Sequence, residues 1–127
     1  MQMQTRDGPF EGSCHCGNVR LAISHSPLHL IKCNCSICFR LGARWAHYEA
    51  SMVKIEGHPR HTSAYVWGGK TLQTFRCNTC GCVTHWEALA PEAGAEVGIN
   101  MNNFDQSLVQ RIAVRSFDGA NTWAYLD

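Results

Sequence analysis

Short runs in which apolar and polar residues alternate dominate the chain, and each predicts a half-buried strand. Val19, Leu21 and Ile23 fall on one face of segment 18–24. Segments 28–32, 44–48, 53–55, 83–86, 97–100 and 111–117 read as further short strands. Segments 63–67 and 71–76 flank Gly68, Gly69 and Lys70. Adjacent glycines accept the positive φ of a tight hairpin turn, so these two segments are expected to pair. Segment 36–41 reads as one helical turn closed by Gly42, and Asp105 is placed to cap a second over 106–111. The stretch TWAYL at 122–126 is apolar enough to pack. Residues 1–9 read as a disordered tail and 10–127 as a single domain. The expected class is mainly β, built of several short antiparallel strands with one or two short helical turns.

Composition narrows the functions open to such a domain. The chain has 127 residues, 45% of them hydrophobic, and a formal net charge of +1. That balance argues against a nucleic-acid binder driven by bulk charge. No apolar run is long enough to span a bilayer, and residues 1–12 lack the apolar core of a signal peptide. The expected compartment is the cytoplasm. Eight cysteines in so short a chain exceed what core packing needs. In an oxidising compartment they would pair as disulfides, whereas in a reducing one they act as metal ligands or nucleophiles.

The cysteines fall into two sets. Cys14 and Cys16 lie two residues apart, and Cys77 and Cys80 form a Cys-x-x-Cys knuckle followed by Gly81. Together they offer four thiolates, the ligand count of a closed tetrahedral zinc site. The second set, Cys33, Cys35 and Cys38, places three thiols within six residues. Three protein ligands with a vacant fourth position is the arrangement of catalytic zinc; closure by Cys82 or a histidine is the alternative. Cys82 itself reads either as a substitute for Cys80 or as a small buried apolar residue. Seven thiolates and two Zn²⁺ would turn the formal charge of +1 into −2.

The motifs GSCHCGNVR (12–20), CNCSICFRLGARWAHY (33–48) and FRCNTCGC (75–82) resemble the family of glutathione-dependent formaldehyde-activating enzymes, which also includes centromere protein V. The resemblance covers about residues 10–127. It implies coiled β-sheets around a structural zinc held by Cys14, Cys16, Cys77 and Cys80. It also implies a catalytic zinc on Cys33, Cys35 and Cys38, so two Zn²⁺ per chain are expected. The implied activity is a carbon–sulfur lyase or synthase reaction that joins glutathione, or a similar thiol, to formaldehyde as an S-hydroxymethyl adduct. The family often carries two arginines after the third cysteine of this motif; here Phe39 stands at the first and Arg40 at the second.

An open three-thiolate zinc favours a soft fourth ligand, which suits a substrate thiol. Arg40 and Arg44 are candidates for pairing with a substrate carboxylate. Trp45, with Tyr48, is a candidate apolar wall, and His47 a candidate proton carrier. The expected partners are a small-molecule thiol and an aldehyde, with no membrane, no nucleic acid, and homo-oligomerisation left open. The competing readings are a non-catalytic zinc module that docks a protein or nucleic acid, and a metal store or thiol redox sensor. A docking module of the first kind calls for a basic tail or stripe, which the sequence lacks.

Overall fold

The computed structural model describes residues 8–68 and 71–127. The predicted tail therefore lies outside the described residues, apart from Gly8 and Pro9, and so do Gly69 and Lys70 of the hairpin turn. Among the described residues ten short strands form two sheets. β1 (Phe10–Ser13), β2 (Arg20–Ile23) and β5 (Val53–Glu56) make a three-stranded antiparallel sheet in the order β1-β2-β5. The other seven are β3 (Leu30–Cys33), β4 (Trp45–Glu49), β6 (Thr62–Val66), β7 (Leu72–Cys77), β8 (Val83–Ala88), β9 (Glu96–Asn100) and β10 (Val114–Phe117). They make one sheet in the order β10-β3-β4-β9-β8-β7-β6. The protein is mainly β. One ladder departs from the antiparallel expectation: β10 runs parallel to β3, with Phe117 opposite Cys33.

The helical pieces are as short as the sequence suggests. α1 (Ser36–Leu41) ends at Gly42, whose φ of 63° lets its N–H reach the Cys38 carbonyl. A left-handed residue at this point satisfies a carbonyl that would otherwise lack a partner. α2 (Gln106–Val109) begins where the Asp105 carboxylate accepts from the Ser107 N–H. The hairpin signal at 68–70 joins two strands that pair antiparallel from Val66 opposite Gln73 to Thr62 opposite Cys77. β1 has no alternation of its own and was not expected from the sequence; its ladder to β2 makes it a strand.

The two faces of the seven-stranded sheet have different work. Because side chains alternate along a strand, Ala46 and Tyr48 of β4 point into the main core while Trp45 and His47 point the other way. The core face meets Leu21 and Ile23 of the small sheet and Leu108 and Val109 of α2, all buried. The opposite face carries Ile31, Cys33, Trp45, His47, Trp86 and Phe117 around a cavity. Gly98 of β9 sits between His47 and Trp86 in register. A Cβ at Gly98 would lie 1.9 Å from the Trp86 indole nitrogen. This missing side chain lets the Trp86 ring lie flat across the sheet, edge-on to His47 with centroids 5.3 Å apart.

Candidate metal centres

Cys14 and Cys16 follow β1, whereas Cys77 ends β7 and Cys80 lies in the turn before β8. The ligand atoms of these four residues lie within 4.8 Å of one another. The Cys14–Cys16 and Cys16–Cys77 sulfur separations are 3.7 and 3.5 Å. Zinc bonded to thiolates at about 2.3 Å places tetrahedral sulfurs about 3.8 Å apart, so the four sulfurs fit that ion. Backbone N–H groups of Val19 and Thr79 point at the sulfurs of Cys14 and Cys77 from 3.3 and 3.4 Å. Such donors favour thiolate over thiol. Cys80 is lowered to about 5: burial opposes this, but the backbone N–H groups of Cys82 and Cys16 outweigh it. All eight cysteines are free. Cys82 packs against this cluster and its carbonyl accepts from the Cys77 N–H.

Cys33 ends β3, Cys35 precedes α1, and Cys38 sits in its first turn. Their sulfurs also converge within 4.8 Å. Burial raises the Cys33 and Cys38 thiols. Cys35 is lowered: burial opposes this, but the backbone N–H of Cys38 and the neighbouring thiols overcome it. The buried Trp45 indole N–H has no partner of full hydrogen-bond geometry, yet it faces Cys38 closely enough to favour that thiolate. Three soft donors and an under-used N–H aimed at one of them suit a zinc ion. The three sulfurs line a cavity of about 490 Å³; among the described residues no fourth metal-ligating group joins them.

A sequence profile described as "Glutathione-dependent formaldehyde-activating enzyme" matches residues 9–117. The chain belongs to this family. It is also similar to a protein of Rhodobacter sphaeroides known from its crystal structure. That protein is 26% identical, with a TM-score of 0.64 over 82% of this chain and 98% of the other. No helix among the described residues is long and apolar enough to cross a membrane.

In this member of the glutathione-dependent formaldehyde-activating family, Trp45 and His47 line the cavity beside the three cysteines. Burial pushes the His47 imidazole below its ordinary range, against the pull of Glu96. The two arginines lie elsewhere. Arg40 is exposed and donates back to the Ser36 carbonyl within its own helix. Arg44 donates to the Asn102 side chain at 2.7 Å, and neither lines the cavity. Tyr48 points into the opposite core, its hydroxyl donating to the His25 carbonyl. His15 is exposed.

Little in the sequence marked the loop that supports the second cluster. Asn34, between Cys33 and Cys35, donates to Asp118 at 3.0 Å and accepts from the Ala120 N–H. The bond from Asn34, together with two from Thr122, holds the Asp118 carboxyl below its usual range. Gly119 is thereby set against the sulfur of Cys33, where an added Cβ would come within 2.5 Å. The signal was present as Asp118-Gly119, a turn dipeptide, but its partner lies 84 residues away.

A third cluster lies on the far face of β8. The Nε2 atoms of His58 and His85 are each 2.9 Å from one oxygen of Glu87. Their Nδ1 atoms meet Thr62 and Thr84 hydroxyls at 2.8 and 2.9 Å. With hydrogen on Nε2, both rings donate to the carboxylate and accept from the threonines, so every ring nitrogen is satisfied. The hydrogen bond from His85 holds Glu87 below 4.5, and burial holds His58 below 6.5. Both groups bind protons less readily folded than unfolded, so stability rises with pH. The His58 contribution is present above about 6.5 and the Glu87 contribution above about 4.5; each is lost as pH falls through the lowered folded value. Glu87→Gln is expected to cost roughly 1–3 kcal/mol at pH 7.5. It should also enlarge the drop in melting temperature between pH 7.5 and 5.5, because the Glu87 carboxylate is what pulls the His58 imidazole back up against burial. Thermal denaturation of the zinc-loaded proteins at the two pH values checks this.

Proposed function

We propose that the protein catalyses the addition of a thiol to a small aldehyde, with formaldehyde as the simplest case, at a zinc ion held by Cys33, Cys35 and Cys38. The observation that carries this reading is the convergence of three sulfurs at the wall of a cavity large enough for a small molecule. A second zinc, on Cys14, Cys16, Cys77 and Cys80, would serve the fold alone. Bound at the three-cysteine site, zinc supplies the means to lower a thiol's pKa and keep it ionised at neutral pH.

The remaining work falls to side chains. A carbon–sulfur bond forms as the carbonyl π pair moves onto oxygen, and the proton that leaves sulfur ends on that oxygen. His47, held neutral by burial, can take up that proton and return it. The Trp45 N–H, aimed at Cys38, and Gly119, packed on Cys33, keep two of the sulfurs in position. The test is NMR with ¹³C-formaldehyde and a thiol, following formation of the hydroxymethyl adduct with and without protein. Acceleration by zinc-loaded protein is expected; equal rates with and without protein, across thiols, would refute the reading.

A further inference from the structure

We propose that the cavity beside Cys33, Cys35 and Cys38 selects a thiol bearing an uncharged aromatic or bulky apolar group, and that glutathione fits it poorly. This rests on the functional reading above. All four tryptophans of the chain, from four separate segments, line this one cavity, and Phe117 and Tyr125 join them. Among the described residues no lysine, arginine, aspartate or glutamate lines it. Glutathione carries two carboxylates and an ammonium group, which lose hydration on entry and need charged or hydrogen-bonding partners in return. The arginines best placed in sequence to supply them are committed elsewhere, Arg40 to Ser36 and Arg44 to Asn102.

Trp123 gives a second and independent reason. It is the one described residue other than glycine with positive φ, at 59°. For a bulky side chain that is a strained backbone, of the kind found where function fixes a position. Two backbone bonds impose it: the Trp123 N–H donates to the Asp118 carbonyl at 2.7 Å and the Asp118 N–H to the Ala124 carbonyl at 2.8 Å. The strained residue is nevertheless 71% exposed, its ring edge-on to Phe117 with centroids 5.1 Å apart. Folding alone gains little from this placement. A ligand ring lying against Phe117 and Trp123 would cover the exposed face and make the offset or edge contacts that aromatic groups prefer.

The test compares phenylmethanethiol with glutathione on zinc-loaded protein, each with formaldehyde. The expected result is a kcat/KM at least about 10-fold higher for phenylmethanethiol, and a smaller ratio in Trp123→Ala through a raised KM for the aromatic thiol. Quenching of tryptophan fluorescence supplies a readout that needs no turnover: saturable quenching by phenylmethanethiol at concentrations where glutathione has no effect. Equal or better turnover of glutathione overturns the inference while leaving thiol addition intact. An aromatic preference seen only when benzaldehyde replaces formaldehyde also overturns it. If no thiol is turned over, the functional reading fails, and the fluorescence comparison still decides whether the cavity prefers the aromatic thiol.

Discussion

Replacing Cys77 by serine is expected to unfold the protein or to lower its melting temperature by about 20 °C or more. Cys77 is 1% exposed and its sulfur lies 3.5 Å from that of Cys16. The cage it helps to close fastens the end of the three-stranded sheet to the β7–β8 turn. Structural zinc sites of this kind bind with about 10–16 kcal/mol of apparent free energy. A domain of this size has a net stability of about 5–15 kcal/mol. Losing even about 5 kcal/mol shifts the midpoint by roughly 20 °C. Circular dichroism with temperature, alongside metal content per chain, measures both consequences. A Cys77→Ser protein with unchanged melting and unchanged zinc would show that the four sulfurs hold no structural ion. Cys82→Ser is the comparison: its side chain packs beside the cage without joining it, so zinc content should stay as in the parent.

Cys38→Ser is expected to have the opposite pattern, with the fold kept and the chemistry lost. Serine matches the side chain in shape, and the helix that carries it buries none of its residues fully. The cap at Gly42 uses the Cys38 carbonyl and not its sulfur, so α1 should persist. With two sulfurs left, the second ion should be lost, and zinc per chain should fall from two to one. Disturbing a group that merely supports a metal ligand typically costs 10–100-fold in affinity or activity. Removing a ligand should therefore lower adduct formation by at least about 100-fold. Retained zinc and retained rate in a folded Cys38→Ser protein would locate the chemistry elsewhere.

How much of this could be seen in the sequence depended on the range of the interaction. The three-cysteine set was legible because local spacing alone brings its sulfurs near one another; the four-cysteine set was legible as two local pairs, which the fold joins across 61 residues. Alternation revealed β2 and β4, since one face of each is buried. β1 lacked that pattern and exists through pairing with β2. The parallel docking of β10 on β3 was also hidden, because nothing local distinguishes it from a hairpin partner. Nearness in sequence to Cys38 made Arg40 and Arg44 candidates for the cavity. Strand parity separates Arg44 from Trp45 and His47, and helical geometry returns Arg40 to its own first turn. The aromatic lining was the least legible part, because Trp67, Trp86 and Trp123 meet only in the folded chain.

The hook between Asn34 and Asp118 has a consequence for biosynthesis. A ribosome delivers the three thiols of the second site long before it delivers the loop that braces them, 84 residues later. Throughout that interval the nascent chain carries the three thiols without their brace. The brace on these three thiols thus waits for Asp118 to emerge, whereas all four cysteines of the cage are present once Cys80 has.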